Sequence, residues 1–232
     1  MKTDFWKIFR KGELPPKDPP EYEQSLDPSA GVRPLSGRFD MLVVSDTHGE
    51  LWLDPFLRQS IKGVTCDICM ILGDVHDYDL KLIMDEVPPE KIVAVLGNHD
   101  RFSLLREYSL TDLNGKVTER GGFSICGIQG SFRYKDENFP SFTHEESLEF
   151  TSRLPGCDIL ISHDGPFITD NHSKVHDGLK GITCYLYEKR VPLNIHGHNH
   201  HSSLTVLRNG TIVKEVYQVE HLILEDGDLY EI

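Results

Sequence analysis

Short apolar runs recur along this chain, and each stops at a cluster of Asp, Asn, His and Gly. Met41-Leu42-Val43-Val44 ends in Ser45-Asp46-Thr47-His48-Gly49. The run from Asp67 to Leu72 ends in Gly73-Asp74-Val75-His76-Asp77, and that from Ile92 to Leu96 ends in Gly97-Asn98-His99-Asp100. Asp158 to Ser162 leads into His163-Asp164-Gly165-Pro166, and Val191 to Ile195 leads into His196-Gly197-His198-Asn199-His200. Apolar runs without alternation read as strands covered on both faces. Helical stretches near Trp52 to Ile61, Leu80 to Glu86, Glu145 to Arg153 and Leu179 to Lys189 separate them. Strand and helix in alternation imply parallel βαβ units. Parallel strands send their carboxyl ends to one edge, which is where open α/β sheets place ligand sites.

The rest of the chain reads as strands and punctuation. Asn114-Gly115 signals a turn, with Lys116 to Arg120 and Phe123 to Ile128 as the strands of a hairpin. Ser131 to Phe142 is a loop rich in aromatic and charged residues. The tail from Ser203 to Ile232 alternates, with turns at Asn209-Gly210 and Asp226-Gly227. The expected fold class is α/β, a four-layer α/β/β/α sandwich of two mixed sheets flanked by helices. Residues 1–38 carry Pro15-Pro16, Pro19-Pro20, Pro28 and Pro34 and read as an extended arm. Phe5, Trp6, Ile8 and Phe9 give that arm an apolar anchor for the domain or for a protein partner or second copy. The domain, 39–232, follows it.

Composition narrows the classes. No apolar run approaches the roughly 18 residues of a membrane span, and Met1 to Arg10 has no long apolar core of a secretory signal. Five cysteines without framework spacing suit a reducing cytoplasm. Cys66 and Cys69 form one C-x-x-C on a strand with no second pair, which reads as ordinary core cysteine. The net charge of −13 argues against a large phosphate-backbone footprint and so against extended nucleic acid.

On an extended backbone His198 and His200 share one side, as metal ligands at a strand end would. The five clusters together strongly resemble the motifs of calcineurin-like metallophosphoesterases: D-x-H, G-D-x-x-D, G-N-H-D/E, a lone H and G-H-x-H. They stand here in that order over about residues 39 to 216. The resemblance implies that Asp46, His48 and His200 bind one metal and Asn98, His163 and His198 a second, with Asp74 bridging. It implies two divalent ions, Mn²⁺, Fe²⁺ or Zn²⁺, with Mn²⁺ favoured; imidazole and carboxylate ligands without thiolate suit such borderline ions better than Mg²⁺ alone. A metal-bridging hydroxide would then hydrolyse a phosphoester, with His99 as acid and Asp77 orienting it. Arg101 and Arg133 are the nearby cations for phosphate oxygens. His76 reads as a spacer and His196 as a neighbour of the ligands. His172 and His176 lie on a loop able to rim the substrate, and His201 and His221 read as structural or exposed.

Protein phosphatases of this superfamily carry Asp-Arg-Gly after the second motif and Glu after Asn-His. This chain has Asp77-Tyr78-Asp79 and Asp100 instead. Its Gly127-Ile128-Gln129-Gly130-Ser131 and Gly165-Pro166 blocks look more like the small, bacterial-type, cyclic-nucleotide phosphodiesterase branch. The expected substrate is therefore a small nucleotide-like phosphodiester or monoester. A nuclease, a protein phosphatase and a non-catalytic protein-binding scaffold are the alternatives.

Overall fold

The computed structural model describes residues 6–7, 21–29, 31–136, 138–168 and 176–232. In chain order its strands are β1 (Trp6–Lys7), β2 (Arg38–Ser45), β3 (Ile68–Ile71), β4 (Ile92–Ala94), β5 (Thr111–Asp112), β6 (Val117–Arg120), β7 (Phe123–Ile128), β8 (Ser131–Phe132), β9 (Ser141–Phe142), β10 (Ile159–Ser162), β11 (Leu193–His196), β12 (Ser203–Val206), β13 (Ile212–Glu215), β14 (Gln218–Glu225) and β15 (Asp228–Glu231). The α-helices are α1 (Glu21–Gln24), α2 (Glu50–Leu53), α3 (Pro55–Gln59), α4 (Asp77–Glu86), α5 (Leu104–Glu107), α6 (His144–Ser152) and α7 (Lys180–Glu188).

The first sheet has the order β1-β15-β14-β2-β3-β4-β5 and the second β12-β13-β11-β10-β7-β6. Strands β2 to β5 are parallel, as are β7, β10, β11 and β13. Antiparallel β14, β15, β12 and β6 make both sheets mixed.

The apolar runs divide their side chains between two cores with period two. Met41 and Val43 on β2 point inward with Ile68, Met70 and Val93 to meet Ile125, Ile159, Ile161, Leu193 and Ile195 of the other sheet. Leu42 and Val44 point outward with Cys69, Ile71 and Ala94 onto Leu51, Leu80, Ile83 and Leu104 of the helices. On the far side Cys126, Ile128 and Leu160 meet Ile182, Tyr185 and Leu186 of α7. The layers are therefore helix, sheet, sheet, helix. One ion pair is sealed between the sheets: Lys214 Nζ of β13 lies 2.5 Å from Glu220 Oε2 of β14, with both side chains almost wholly buried.

Three local expectations are corrected. The stretch 52–61 is two short helices, because Pro55 cannot continue α2. Asp54 instead caps α3, accepting the Phe56 N–H at 2.8 Å. The β6–β7 hairpin turns at Gly121-Gly122, both at positive φ, and not at Asn114-Gly115. Strand β11 stops at His196, so His198 and His200 do not share an extended backbone. Residues before 39 also pack on the domain. Leu35 joins the inter-sheet core, Arg33 pairs with Asp158, and the Tyr187 hydroxyl donates to buried Glu23. Phe5, Ile8, Phe9, His172 and the prolines at 15, 16, 19 and 20 lie outside the described residues. No described helix is long and apolar enough to cross a membrane.

Candidate metal centre

The clusters after β2, β3, β4, β10 and β11 meet at one edge of the sandwich. They hold their side chains through unusual backbone. Asp46, His48, Asp74, His198 and His200 have φ of 53, 46, 54, 77 and 57°. Left-handed φ costs a residue with a Cβ roughly 1–3 kcal/mol and gathers where function over-determines it. Glycine permits the close approach between loops. A Cβ on Gly197 would come within 1.8 Å of Ser45 Oγ and 2.4 Å of Asp46 Oδ2. A Cβ on Gly97 would meet Asp74 Oδ1 at 2.1 Å.

Two sets of ligand atoms converge, one of Asp46, His48 and His200 and one of Asp46, Asp74 and His163. In the first, His48 Nε2 and His200 Nε2 are 3.2 Å apart, and His200 Nε2 is 3.6 Å from Asp46 Oδ1. In the second, His163 Nε2 lies 3.5 Å from Asp74 Oδ2 and 2.8 Å from Asn98 Oδ1. His48 Nε2 is 3.9 Å from Asp74 Oδ2, so Asp74 sits between the two sets. The His198 ring stands 5.0 Å from the His163 ring, and its backbone N–H donates to Asp46 Oδ2 at 2.8 Å. The seven expected ligands thus gather in one place.

The donor set fits a cation. His163 Nδ1 donates to the Leu72 carbonyl at 2.9 Å, which leaves Nε2 as a lone pair. That lone pair, the Asn98 carbonyl oxygen and the Asp74 carboxylate are all acceptors facing one another. Asp46 Oδ1 is buried with no hydrogen-bond donor among the described residues. Burial opposes the charge of Asp46, but His163, Ser45 Oγ and the His198 N–H hold its pKa below the ordinary value. Burial, helped by His200 and His99, lowers the His48 pKa against the pull of Asp74 and Asp46. Both shifts favour the ligating forms, an anion and a neutral imidazole. On His163 burial works downward, yet Asp74, Asp46 and Asp100 carry the net shift upward. A metal ion would supply the same positive charge to those carboxylates.

Three buried or half-buried carboxylates that sequence reasoning gave no part of the site hold its loops. Asp100 Oδ2 accepts the N–H of Asp74 at 2.9 Å and of Gly97 at 2.7 Å. Burial first, then the Asp74 charge, pushes its carboxyl up to about 7. Asp79 accepts Gly49 N–H at 2.7 Å and Trp52 N–H at 2.9 Å, tying α4 to the His48 turn. Asp164 accepts Phe132 N–H and Gly165 N–H, both at 2.8 Å. Their one sequence signal is an acid beside each motif.

The remaining expected residues are distributed as follows. His99 is exposed, its ring 5.5 Å from that of His48 and its N–H on Asp74 Oδ1 at 2.7 Å. The Asp77 carboxylate meets Arg101 and the Tyr108 hydroxyl, where the sequence suggested His99. Arg101 also pairs with Glu107. Arg133 binds Glu146 and Ser141 beside α6. His76 stacks on Tyr78 at 5.4 Å, and Tyr78 lies 5.4 Å from Trp52, an exposed aromatic row beside the His48 turn. His176 stands 5.1 Å from the His198 ring. His201 pairs with Glu215, and His221 donates to the Ser60 carbonyl.

The sequence profile of the calcineurin-like phosphoesterase superfamily domain matches residues 39–215. None of the functionally curated proteins matches the chain. Solved structures share the fold at low identity. A Thermus thermophilus protein, TT1561, superposes with a TM-score of 0.59 at 14% identity, over 84% of this chain and 99% of that one. The phosphopantetheinyl hydrolase of Mycobacterium tuberculosis superposes with a TM-score of 0.54 at 14% identity, over 79% of this chain and 91% of that one.

Proposed function

The chain belongs to the calcineurin-like phosphoesterase superfamily, and on that premise we propose that it is a metal-dependent hydrolase of a small phosphodiester. The observation that carries this reading is the convergence of Asp46, His48, Asp74, His163 and His200, brought from both sheets to one edge. Asp46, His48 and His200 would hold one divalent ion, and Asn98, His163 and His198 a second, with Asp74 between them. Imidazoles and carboxylates without thiolate suit the borderline ions Mn²⁺, Fe²⁺ or Zn²⁺ better than Mg²⁺ alone, and Mn²⁺ is the ion chosen for the tests. When bound, such ions polarise phosphoryl oxygens and lower the pKa of water toward about 7.

The chain's own residues supply orientation and a proton. Asp74 accepts the His99 N–H and so fixes where the His99 ring begins. That ring is exposed beside His48, where it can protonate the departing oxygen. Arg101 is already gripped by two carboxylates, so it would meet a phosphate by sharing its guanidinium. The aromatic row of His76, Tyr78 and Trp52 offers a flat face for a base, which suits a nucleotide-like arm. A polymer would need further Lys and Arg contacts. The chain carries −13, and two dications would leave it near −9.

The test is a metal-by-substrate matrix. Bis-p-nitrophenyl phosphate, p-nitrophenyl phosphate, 2′,3′- and 3′,5′-cyclic nucleotides and single-stranded DNA are assayed with Mn²⁺, Mg²⁺, Ni²⁺ and Zn²⁺. Metal-dependent turnover of small diesters is the expected result. Turnover of none would remove the enzyme reading. Steeply salt-dependent inhibition by single-stranded DNA at low micromolar levels would replace it with a nuclease.

A further inference from the structure

A cavity of about 130 Å³ lies against the second sheet, lined by His196, Asn199 and His201 from the end of β11 and the turn after it. Residues of β11, β12 and β13, with Asp164 to Pro166, Ile168, His176 and Gly178 after β10, wall it. His196 and Glu215 are register partners on β11 and β13 and are only 5% and 4% exposed. Gly165 lets the His196 ring lie against the backbone, since a Cβ there would come within 2.6 Å of it. His176, which also lines the cavity, stands 5.1 Å from the His198 ring. The cavity therefore shares a wall with the metal centre.

Its polar atoms are unevenly satisfied. Both Asp164 oxygens accept backbone N–H groups. Glu215 Oε2 accepts the Ser203 hydroxyl at 2.8 Å and pairs with His201 Nε2 at 2.9 Å. Glu215 Oε1 and Asn199 Oδ1 are buried with no hydrogen-bond partner among the described residues. Leaving a buried acceptor unpaired is costly, so each calls for a donor. Among the described residues no Lys or Arg lines the cavity. With Glu215 and Asp164 in the wall it disfavours a second phosphate and favours a neutral or cationic group bearing O–H or N–H. Its volume is close to the roughly 150 Å³ that accepts one benzene ring.

We propose that this cavity is the subsite for one alcohol arm of the diester, and that it selects a compact arm with hydroxyl or ammonium donors. The inference rests on the phosphoesterase reading above. In the reaction the oxygen of water joins phosphorus and the P–O bond to the other arm breaks. That arm leaves with a proton, and the arm in the cavity stays on the phosphate.

Mixed diesters of p-nitrophenol test it with the Mn²⁺-loaded protein. One ester arm is methyl, 2,3-dihydroxypropyl or 2-aminoethyl, and nitrophenolate release reports the same bond in each. At least one donor-bearing arm should exceed methyl in kcat/KM by about 10- to 100-fold, the worth of one charge-assisted hydrogen bond. Which arm leads distinguishes hydroxyl from ammonium. Glu215→Gln should remove most of that preference with bound Mn²⁺ unchanged. Thr205→Leu, which fills the cavity from β12, should do the same if the first variant does not fold. Turnover of all three diesters at equal kcat/KM overturns the subsite and leaves the phosphoesterase standing. Turnover of none overturns the phosphoesterase. Calorimetric titration with glycerol 1-phosphate and phosphoethanolamine then decides the subsite. Binding that Glu215→Gln abolishes supports it, and no binding, or binding that survives, overturns it.

Discussion

Asp77 and Arg101 face each other through two parallel hydrogen bonds of 2.7 Å. The pair joins the first turn of α4 to the loop after β4, so it locks the second and third motif loops together. Tyr108 adds its hydroxyl to the same carboxylate at 2.8 Å. His99, on the loop after β4, gains its position from this frame and from the hydrogen bond of its N–H to Asp74.

The frame predicts a pH dependence of stability. The Arg101 hydrogen bonds, with help from Tyr108, hold the Asp77 carboxyl down to about 2 from an ordinary 3.8. A carboxyl with a depressed folded pKa contributes stability above its unfolded pKa and loses it as pH falls toward the folded one. Both side chains are partly exposed, so screening limits the contribution to below about 1 kcal/mol. Asp77→Asn should therefore melt slightly below the parent at a constant offset from pH 8 to 5. That offset should shrink between about pH 4 and 2. An offset that grows in acid would show that the pair does not hold the loops.

Asp74 sits between both ligand sets, so its loss should disturb both. Asp74→Ala is expected to lower bound metal by well over half relative to the parent in elemental analysis. Turnover should fall by at least about 10²-fold, since both Lewis-acid roles suffer. Full occupancy of two ions in the variant would remove Asp74 from the centre.

His99 should act on the leaving group and not on metal binding. His99→Ala should keep its metal content and lose about 10²–10⁴-fold in turnover of an alkoxide-leaving diester, the range of general acid catalysis. The loss should be much smaller for a nitrophenolate, which needs little protonation. Equal losses on both would assign His99 to charge stabilisation instead.

Lys214 and Glu220 are buried between the sheets, where each compensates the other. Removing one partner strands the other charge. Lys214→Met should cost about 3–5 kcal/mol, whereas the double variant Lys214→Met, Glu220→Leu should recover most of that loss. Urea denaturation at neutral pH reads both. A double variant no better than the single would show that the pair does not act as a unit.

The strand ends were legible because hydrophobic runs and ligand clusters are local signals. Met41 and Val43 belong to one core and Leu42 and Val44 to another, which explains why the run shows no alternation. The Asp79, Asp100 and Asp164 contacts were not legible, because Gly49, Asp74 and Phe132 lie about 26–32 positions away. Nor does sequence announce that five non-glycine residues at the site are left-handed. Pro55 and Gly121-Gly122 carried local signals that decide the helix break and the hairpin turn. A longer apolar period and a stronger-looking Asn-Gly masked them.

Strand β2 carries the first motif, yet its antiparallel neighbour is β14, pairing Ser45 with Gln218 through to Arg38 with Glu225. During synthesis the edge of β2 therefore waits for about 170 further residues to leave the ribosome. Long-range pairing of this kind is slow and leaves strand edges exposed. A chain stalled before β14 would carry every metal-ligand motif and still lack the strand that closes β2. Such fragments are natural clients for chaperones, and a nonsense change even late in the reading frame should yield insoluble protein.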